Sequence, residues 1–534
     1  LESLFGIELN DKNLLIKNYK SIRKIELDNF DKLNIFIGKN DAGKSNVISA
    51  LDVLFNANIH DARKVATLKS ENELETVFDD LLLYQFLDKK NPEAEITAHL
   101  EVSHSEMLKL GLDLGQKEKY DLVVSRKLSG SADETRVYLD FIRLDKKIII
   151  KTPNEQKRFL NKKGGYEDNI EGTLASNILK KITDLFILIP ADRIIIRDPT
   201  PMAEKSKIED YIKDSLIQIA NSEDDDRKVL YEQFTTFIDK ISPLIEEVKT
   251  VKEANKVIDV KFLSEDKTDI PLSTIGGGNN ELLLLLHEII ISGGKILAIE
   301  EPEIHLHPEA ERKLYRLMQE FSATTQMFIV THSPVFVEPD EIKNLFRIIK
   351  KGTRTEICSM RPQQYIDRER LKQELNAENC EMFFADKVLL VEGISDKIFM
   401  DGLIQRYSKS TAEIKVVSSY SKDNFEVYVD LLRIFKIPYL IMTDLDALKG
   451  RFQIKPIYRA IRNRPFKNRY EKIQFLKTQY IHVLAKGDLE SCYPKHYRRH
   501  ISKPLDALFA IHNLTDEEYD SPRMTPLREV IEVL

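Results

Sequence analysis

The sequence predicts an α/β protein built in successive parts, with parallel sheets at the centre of its chemistry. Three observations carry that prediction. The apolar run "LNIFI" (33–37) leads straight into a glycine-bearing turn and then into text with helical periodicity. Two more short apolar runs, "ILAI" (296–299) and "MFIV" (327–330), each end abruptly in polar residues. Beyond a polar segment, "VLLV" (388–391) and "YLIM" (439–442) repeat the order strand, turn, helix. Short buried strands alternating with helices describe parallel sheets, whose chemistry collects at the carboxyl ends of the strands.

The elements follow in order. Residues 14–37 alternate apolar and polar in short runs, and similar β-branched runs recur to about residue 150 ("AEITAHLEV", "YDLVVSRKL", "RVYLDFIRL"). Longer helical periodicity then predicts a helical insertion over 166–250, a candidate dimerisation arm. Strand-like and glycine-rich text resumes over 251–360, a charged linker helix spans 361–380, and a second α/β domain occupies 381–534. The first part is thus split, 1–165 and 251–360, by the insertion.

A chain of 534 residues exceeds what one core sustains, so two to four domains are expected. No apolar run approaches the ~20 residues of a membrane helix, and no basic segment precedes an apolar one at the start, so a cytoplasmic protein without membrane contact is expected. Cys358, Cys380 and Cys492 are too widely spaced for a disulfide framework or a structural zinc site. The net charge of −7 hides a local asymmetry: residues 451–500 hold thirteen Lys or Arg against three Asp or Glu. Arg451, Arg462, Arg464, Lys467, Arg469, Lys472, Arg498 and Arg499 alternate there with Phe and Tyr. Cations for phosphates and aromatic faces for bases make this a candidate DNA surface, against the alternative of a solvated face over core aromatics.

The turn after "LNIFI" spells G-x-x-x-x-G-K-S, Gly38 to Ser45. Its glycines let backbone N–H groups around Gly38, Asn40 and Gly43 face a phosphate, Lys44 reaches the terminal phosphates, and Ser45, followed by Asn46, ligates Mg²⁺. The expected complement comes about 230 residues later in "TIGGGNNELLLLLHEIIISGGKILAIEEPEIHLHP". Glu300 and Glu301 close a buried strand, where acids are costly without a cation or water to serve. Glu300 suits Mg²⁺, Glu301 suits polarisation of the attacking water, and His332 in "THSP" suits a γ-phosphate sensor.

This arrangement resembles the ABC-type ATPases of the SMC, RecF and OLD group. The resemblance implies that Gly276 to Gly278 form the signature turn that meets nucleotide held by another head, with Gly277 and Asn280 departing from the usual Ser and Gln. His305 and His307 invite a metal reading, but they match the group's loop after the catalytic Glu. Arg193 is either an interface arginine or a surface ion-pair partner.

In the second α/β domain, Glu392 follows "VLLV", Asp396 opens the next helix, and Asp444 and Asp446 follow "YLIM". Alternate residues after a strand share a side, so an Asp-x-Asp pair can face cations. Asp396 has a second explanation as a helix N-terminal acid. A further strand, "YIHVLA", leads to Lys486, Asp488 and Glu490. Glu on the first strand and Asp-x-Asp on the third resemble the Toprim domain. The whole order, with its intervening turn Ser421 to Asn424, resembles the OLD family of ATP-dependent endonucleases. That resemblance implies a metal-dependent DNA endonuclease with ATP, Mg²⁺ or Mn²⁺ at the ATPase site, and two such cations in the Toprim site held by Glu392, Asp396, Asp444, Asp446, Asp488 and Glu490. It implies a lysine against the pentavalent phosphate, Lys486 or its rival Lys503. It further implies a homodimer or higher homo-oligomer and a setting in antiviral defence of the Gabija or retron kind, with a partner protein or a reverse-transcriptase/msDNA complex. The competing reading is a non-cleaving ATP-dependent DNA clamp or sensor.

Overall fold

A computed structural model describes residues 7–534 apart from 57–74, 80–85, 89, 110–116, 131–133, 146, 152–157, 161–165, 168–180, 183–184, 192–204, 223–224, 242–244, 255, 272–276, 293–294, 362–363, 365, 450–453 and 500–501. The chain divides into two compact units, residues 1–336 with 344–357, and residues 337–343 with 358–534.

The first unit is organised by β1 (Leu33–Ile37), buried along its whole length, which delivers the glycine turn to α1 (Lys44–Phe55). β2 (Phe186–Ile189) follows, then α2 (Lys205–Ala220), α3 (Asp225–Ile241) and α4 (Gly277–Ile291). β3 (Ile296–Glu300), α5 (Pro308–Ser322), β4 (Gln326–Thr331), β5 (Leu345–Lys351) and β6 (Arg354–Ser359) complete the series. Strand order is β2-β3-β4-β1-β5-β6, and the ladders from β2 through to β5 are parallel. Register sets Glu300 beside Val330 and Thr331 beside Ile37. The glycine turn, the Glu300–Glu301 pair and His332 therefore leave the sheet at one edge, as adjacent parallel strands require.

α1 is apolar on nearly every face because it lies between two sheets. Val47, Ile48, Leu51, Leu54 and Phe55 have no exposed surface and share a core with Ile16, Ile96, Ala98 and Val124 of a second, antiparallel sheet. Burying each such large side chain contributes about 1.5–3 kcal/mol. The Arg126 guanidinium closes the helix end, its Nε donating to the Leu54 carbonyl at 2.7 Å.

One expectation is corrected. The stretch 166–250 is not helical throughout: Tyr166–Glu167 is a short strand, and β2 is an edge strand of the parallel sheet that precedes α2. "FILI" is four apolar residues long, too short for periodicity to separate strand from helix. α3 and α4 pack together, and Tyr211 of α2 donates to Glu288 Oε1 on α4 at 2.8 Å.

In the second unit α6 (Arg368–Glu374) leads to β7 (Lys387–Val391), α7 (Ile394–Tyr407), β8 (Ile414–Ser418), α8 (Phe425–Ile434), β9 (Tyr439–Thr443), β10 (Ile481–Val483) and α9 (Lys503–Asn513). Strand order is β8-β7-β9-β10, parallel throughout. α7 meets α9 closely at Gly402, where a Cβ would come within 2.4 Å of Ile511 Cγ1. Lys503, at the start of α9, pairs with Glu490, and its charge acts on Glu392. No helix among the described residues is long and apolar enough to cross a membrane.

Candidate functional site

At the edge of the first parallel sheet, the glycine turn walls a cavity of about 580 Å³ lined by Asn40, Gly43, Lys44, Ser45, Glu301 and His332, among others. Glycine is required at both ends of the loop. A Cβ on Gly38 (φ 150°) would sit 2.3 Å from the Ile348 carbonyl, and one on Gly43 (φ 101°) 2.3 Å from Thr355 Oγ1. Lys44 Nζ donates to the carbonyls of Gly38 (3.0 Å) and Lys39 (2.9 Å), so the ammonium is held over the loop. Burial pushes it down to about 8, against the opposing pull of Glu301, Glu303, Asp41 and Glu300. A bound phosphate supplies the counter-charge that burial denies this lysine.

Glu301 occupies a left-handed backbone position (φ 46°), its N–H held by the Val330 carbonyl at 2.7 Å, and its carboxylate lies 3.6 Å from His332 Nε2. Burial, and then Lys44, lowers the His332 imidazole below its ordinary value, against the opposing pull of Glu301. Glu300 ends β3 half-buried one residue earlier and is not among the cavity-lining residues. Sequence reasoning missed Glu303, whose Oε1 accepts the His332 N–H at 2.6 Å and whose carboxyl is raised by burial. Its position two residues after Glu301 was the available signal. It also missed Ser21 and Thr355, which brace the loop: Ser21 Oγ bonds Asn46 Nδ2 and Thr355 Oγ1, both at 2.6 Å, and Thr355 reaches the Ala42 carbonyl. No spacing rule joins positions so far apart.

Gly276 and Arg193 lie outside the described residues, while Gly277 and Gly278 begin α4. His305 pairs with Glu281 at 2.8 Å and His307 caps α5 through Glu309 N–H, so neither has a metal-ligand arrangement here.

The second sheet edge collects carboxylates. Glu392, Asp444 and Asp446 offer ligand oxygens that all lie within 4.8 Å of one another. Asp444 is pushed up to about 8 by burial, then by Asp396, Glu392, Asp446 and Asp488. Glu392 is also raised, chiefly by burial, and its Oε2 is buried with no hydrogen-bond partner. Like charges at this distance resist joint ionisation unless a cation lies among them. The orphaned oxygen and the acceptor-only donor set therefore fit a hard divalent cation.

Asp396 serves as the helix acid: its Oδ2 accepts the Gly393 N–H at 3.0 Å, and burial raises it to about 6. It faces the cluster as well, since Glu392 and Glu490 add to that shift. Asp488 caps its own turn through the Ser491 N–H at 3.0 Å and is lowered by Ser491 bonds and Lys503 against the effect of burial. Glu490 pairs with Lys503 Nζ at 3.0 Å.

The two candidate lysines have different partners. Lys486 Nζ donates to the carbonyls of Pro522 (2.8 Å) and Arg523 (3.4 Å). Lys503 instead bonds Glu490 and feels Asp488 and Asp444. Sequence reasoning singled out the turn that holds Lys422 but not the lysine as a site residue. Its Nζ lies 2.5 Å from Asp446 Oδ2 and 3.4 Å from Glu392 Oε1.

The basic segment divides in the same way. Arg462, Arg464, Lys467 and Arg469 are exposed near Tyr458 and Tyr470, which are 55% and 71% exposed. Arg464 lies over the Phe475 ring at 4.6 Å, and burial lowers the Lys472 ammonium. Arg498 donates to the Glu490 carbonyl, and the exposed Arg499 lies over the Phe509 ring at 3.3 Å. Arg451 lies outside the described residues.

Comparison with known proteins gives two family matches: an AAA ATPase domain over residues 12–337, and an Overcoming lysogenization defect protein-like TOPRIM domain over residues 383–446. The chain is 25% identical over 481 residues to Endonuclease GajA of Bacillus cereus (strain VD045), covering 84% of this chain and 77% of that one. It is 24% identical over 396 residues to an ATP/GTP phosphatase of Helicobacter pylori, covering 70% and 98%. Against OLD nuclease of Thermus scotoductus it is 29% identical over 164 residues, 28% of this chain and 30% of that one. Among solved structures, an SMC head bound to the C-terminal winged-helix domain of ScpA aligns with TM-score 0.40 at 14% identity, covering 66% and 98%.

Proposed function

The chain belongs to the AAA ATPase domain family and carries an OLD-like TOPRIM domain behind it, and from that premise we propose that it is an ATP-controlled, divalent-metal-dependent DNA endonuclease. The observation that carries the reading is the convergence of Glu392, Asp444 and Asp446 within 4.8 Å, with one buried carboxylate oxygen unpartnered. Similarity to Endonuclease GajA and OLD nuclease supports the same chemistry. Antiviral defence is the setting this likeness suggests, with the 166–250 region as the self-association arm.

In this reading Glu392, Asp444 and Asp446 would hold one Mg²⁺ or Mn²⁺, and Asp396, Asp488 and Glu490 would contribute to a second. Bound cations supply an activated water and neutralise charge on the leaving oxygen. The chain's own residues do the rest. Asp396 fixes the Glu392–Gly393 turn through its cap, Lys503 presents a positive charge over the acids, and the exposed cations of 455–478 hold the DNA backbone. In the ATPase part Lys44 and the loop amides hold phosphate, Glu301 orients water, and His332 meets the γ-phosphate.

The test is incubation of purified protein with supercoiled plasmid and Mg²⁺ or Mn²⁺, with and without ATP. Metal-dependent nicking supports the reading. DNA binding without nicking in either metal, at every ATP level, favours the clamp. Within the nuclease reading, Lys503→Ala is expected to lower cleavage by about 10²-fold or more with DNA binding retained, while Lys486→Ala cleaves near the wild-type rate. Equal losses in both would restore Lys486. The triple change Arg462→Ala, Arg464→Ala, Arg469→Ala is expected to weaken binding of all DNA sequences and to flatten its salt dependence, by a slope of roughly 0.9 for each phosphate no longer neutralised. An unchanged slope would move the DNA surface elsewhere.

A further inference from the structure

Resting on the metal-dependent reading of this site, we propose that Lys422 is a resident counter-cation that holds a cation position in the acidic cluster and yields it when a divalent metal binds. Its ammonium touches two of the three clustered carboxylates, 2.5 Å from Asp446 and 3.4 Å from Glu392, and the side chain is only 17% exposed. A divalent cation held by Glu392 and Asp446 would compete with the ammonium that lies against these same two carboxylates. Lys503, by contrast, bonds Glu490, which is not one of the three clustered acids.

The backbone that presents Lys422 is fixed, so the displacement is a side-chain event. Ser419 N–H and Oγ both donate to the Val391 carbonyl, at 2.9 and 3.2 Å, tying the turn to the strand that carries Glu392. Tyr420 keeps a left-handed conformation (φ 54°) and Ser421 N–H returns to the Ser419 carbonyl at 2.6 Å. Asn424 Nδ2 closes the turn on Ser419 O at 3.0 Å and also donates to Glu374 of α6, while Arg370 of α6 donates to Asn424 Oδ1 at 3.2 Å. A non-glycine residue held at positive φ persists only when its surroundings over-determine it. The four-carbon stem of lysine then swings from a stationary Cα, which is the freedom an exchangeable charge requires.

The consequence is measurable without cleavage. Mn²⁺ titration of nucleotide-free protein, by calorimetry or by the spin resonance of free Mn²⁺, is expected to show about tenfold tighter binding in Lys422→Met than in wild type, because no ammonium competes. Lys422→Arg keeps the competitor and keeps wild-type affinity. Lys503→Met removes a neighbouring charge outside the clustered trio and tightens binding much less. In wild-type protein, where no substitution can disturb folding, amine labelling read by mass spectrometry is expected to modify Lys422 faster once Mg²⁺ is added. Equal affinity in wild type and Lys422→Met, equal tightening in Lys503→Met, or labelling of Lys422 that Mg²⁺ leaves unchanged would each overturn the proposal while leaving the metal site standing. Absence of Mn²⁺ binding in every protein would overturn both.

Discussion

Glu392→Ala is expected to abolish metal-dependent plasmid nicking, a loss of at least about 10³-fold, with ATP turnover within about twofold of wild type. The size follows from position. Glu392 leaves β7 at the centre of the sheet edge, within ligand distance of Asp444 and Asp446, and its Oε2 has no other partner. Removing it takes away a metal ligand and also the charge that helps hold Asp444 up at about 8. Nothing else in the described cluster offers an oxygen from that strand. The same substitution is expected to leave thermal stability unchanged or slightly raised, because burial already disfavours the ionised carboxylate. That second readout separates loss of chemistry from loss of fold. A variant that melts at the wild-type temperature and still nicks DNA removes Glu392 from the site, and a variant that melts early leaves Asp444→Asn, of nearly equal volume, to repeat the comparison.

The parts of this protein legible in its sequence are those where local chain geometry and chemistry coincide. A strand of four or five apolar residues ending in a glycine turn or an acid announces both a sheet edge and its occupant, which is why Lys44, Glu301, Glu392, Asp444 and Asp446 could be named from spacing. The acids of "KGDLE" were legible as a group but not in their roles, since a side chain's direction after a turn depends on what it caps. Asp488 turns to Ser491, and Lys486 turns to Pro522 and Arg523, carbonyls that only the fold brings near. Lys422 was hidden for the opposite reason. A lysine in a polar turn is the ordinary solvent-exposed choice, and only the parallel pairing of β8 with β7 shows that this turn overhangs Glu392. The cations of 451–500 look uniform in sequence, yet Arg498 also donates to the Glu490 carbonyl and Arg499 also lies over Phe509. Charge density identifies a segment, and it does not separate cations that meet DNA from cations that brace the protein.

Lys44→Ala is expected to eliminate nucleotide binding, weakening it by about 10²-fold or more, and Glu301→Gln to retain binding while slowing hydrolysis by a similar factor, so that ATP accumulates on the protein. The two effects separate because the two side chains meet the nucleotide cavity differently. Lys44 is the buried cation over the loop, its ammonium depressed to about 8 and held by two backbone carbonyls that offer no countercharge. Phosphate supplies that charge, and alanine leaves the loop amides to bind it alone. Glu301 stands across the cavity beside His332, on a backbone already in the left-handed region, where glutamine keeps the shape and loses the negative charge that polarises water. Equilibrium binding of a fluorescent ATP analogue and single-turnover hydrolysis distinguish the pair. If ATP controls the nuclease, the two variants must also part in the plasmid assay, since one mimics the nucleotide-free protein and the other the ATP-loaded one. Cleavage that is the same in both, in the presence of ATP and metal, would mean that the ATPase does not govern the acidic site.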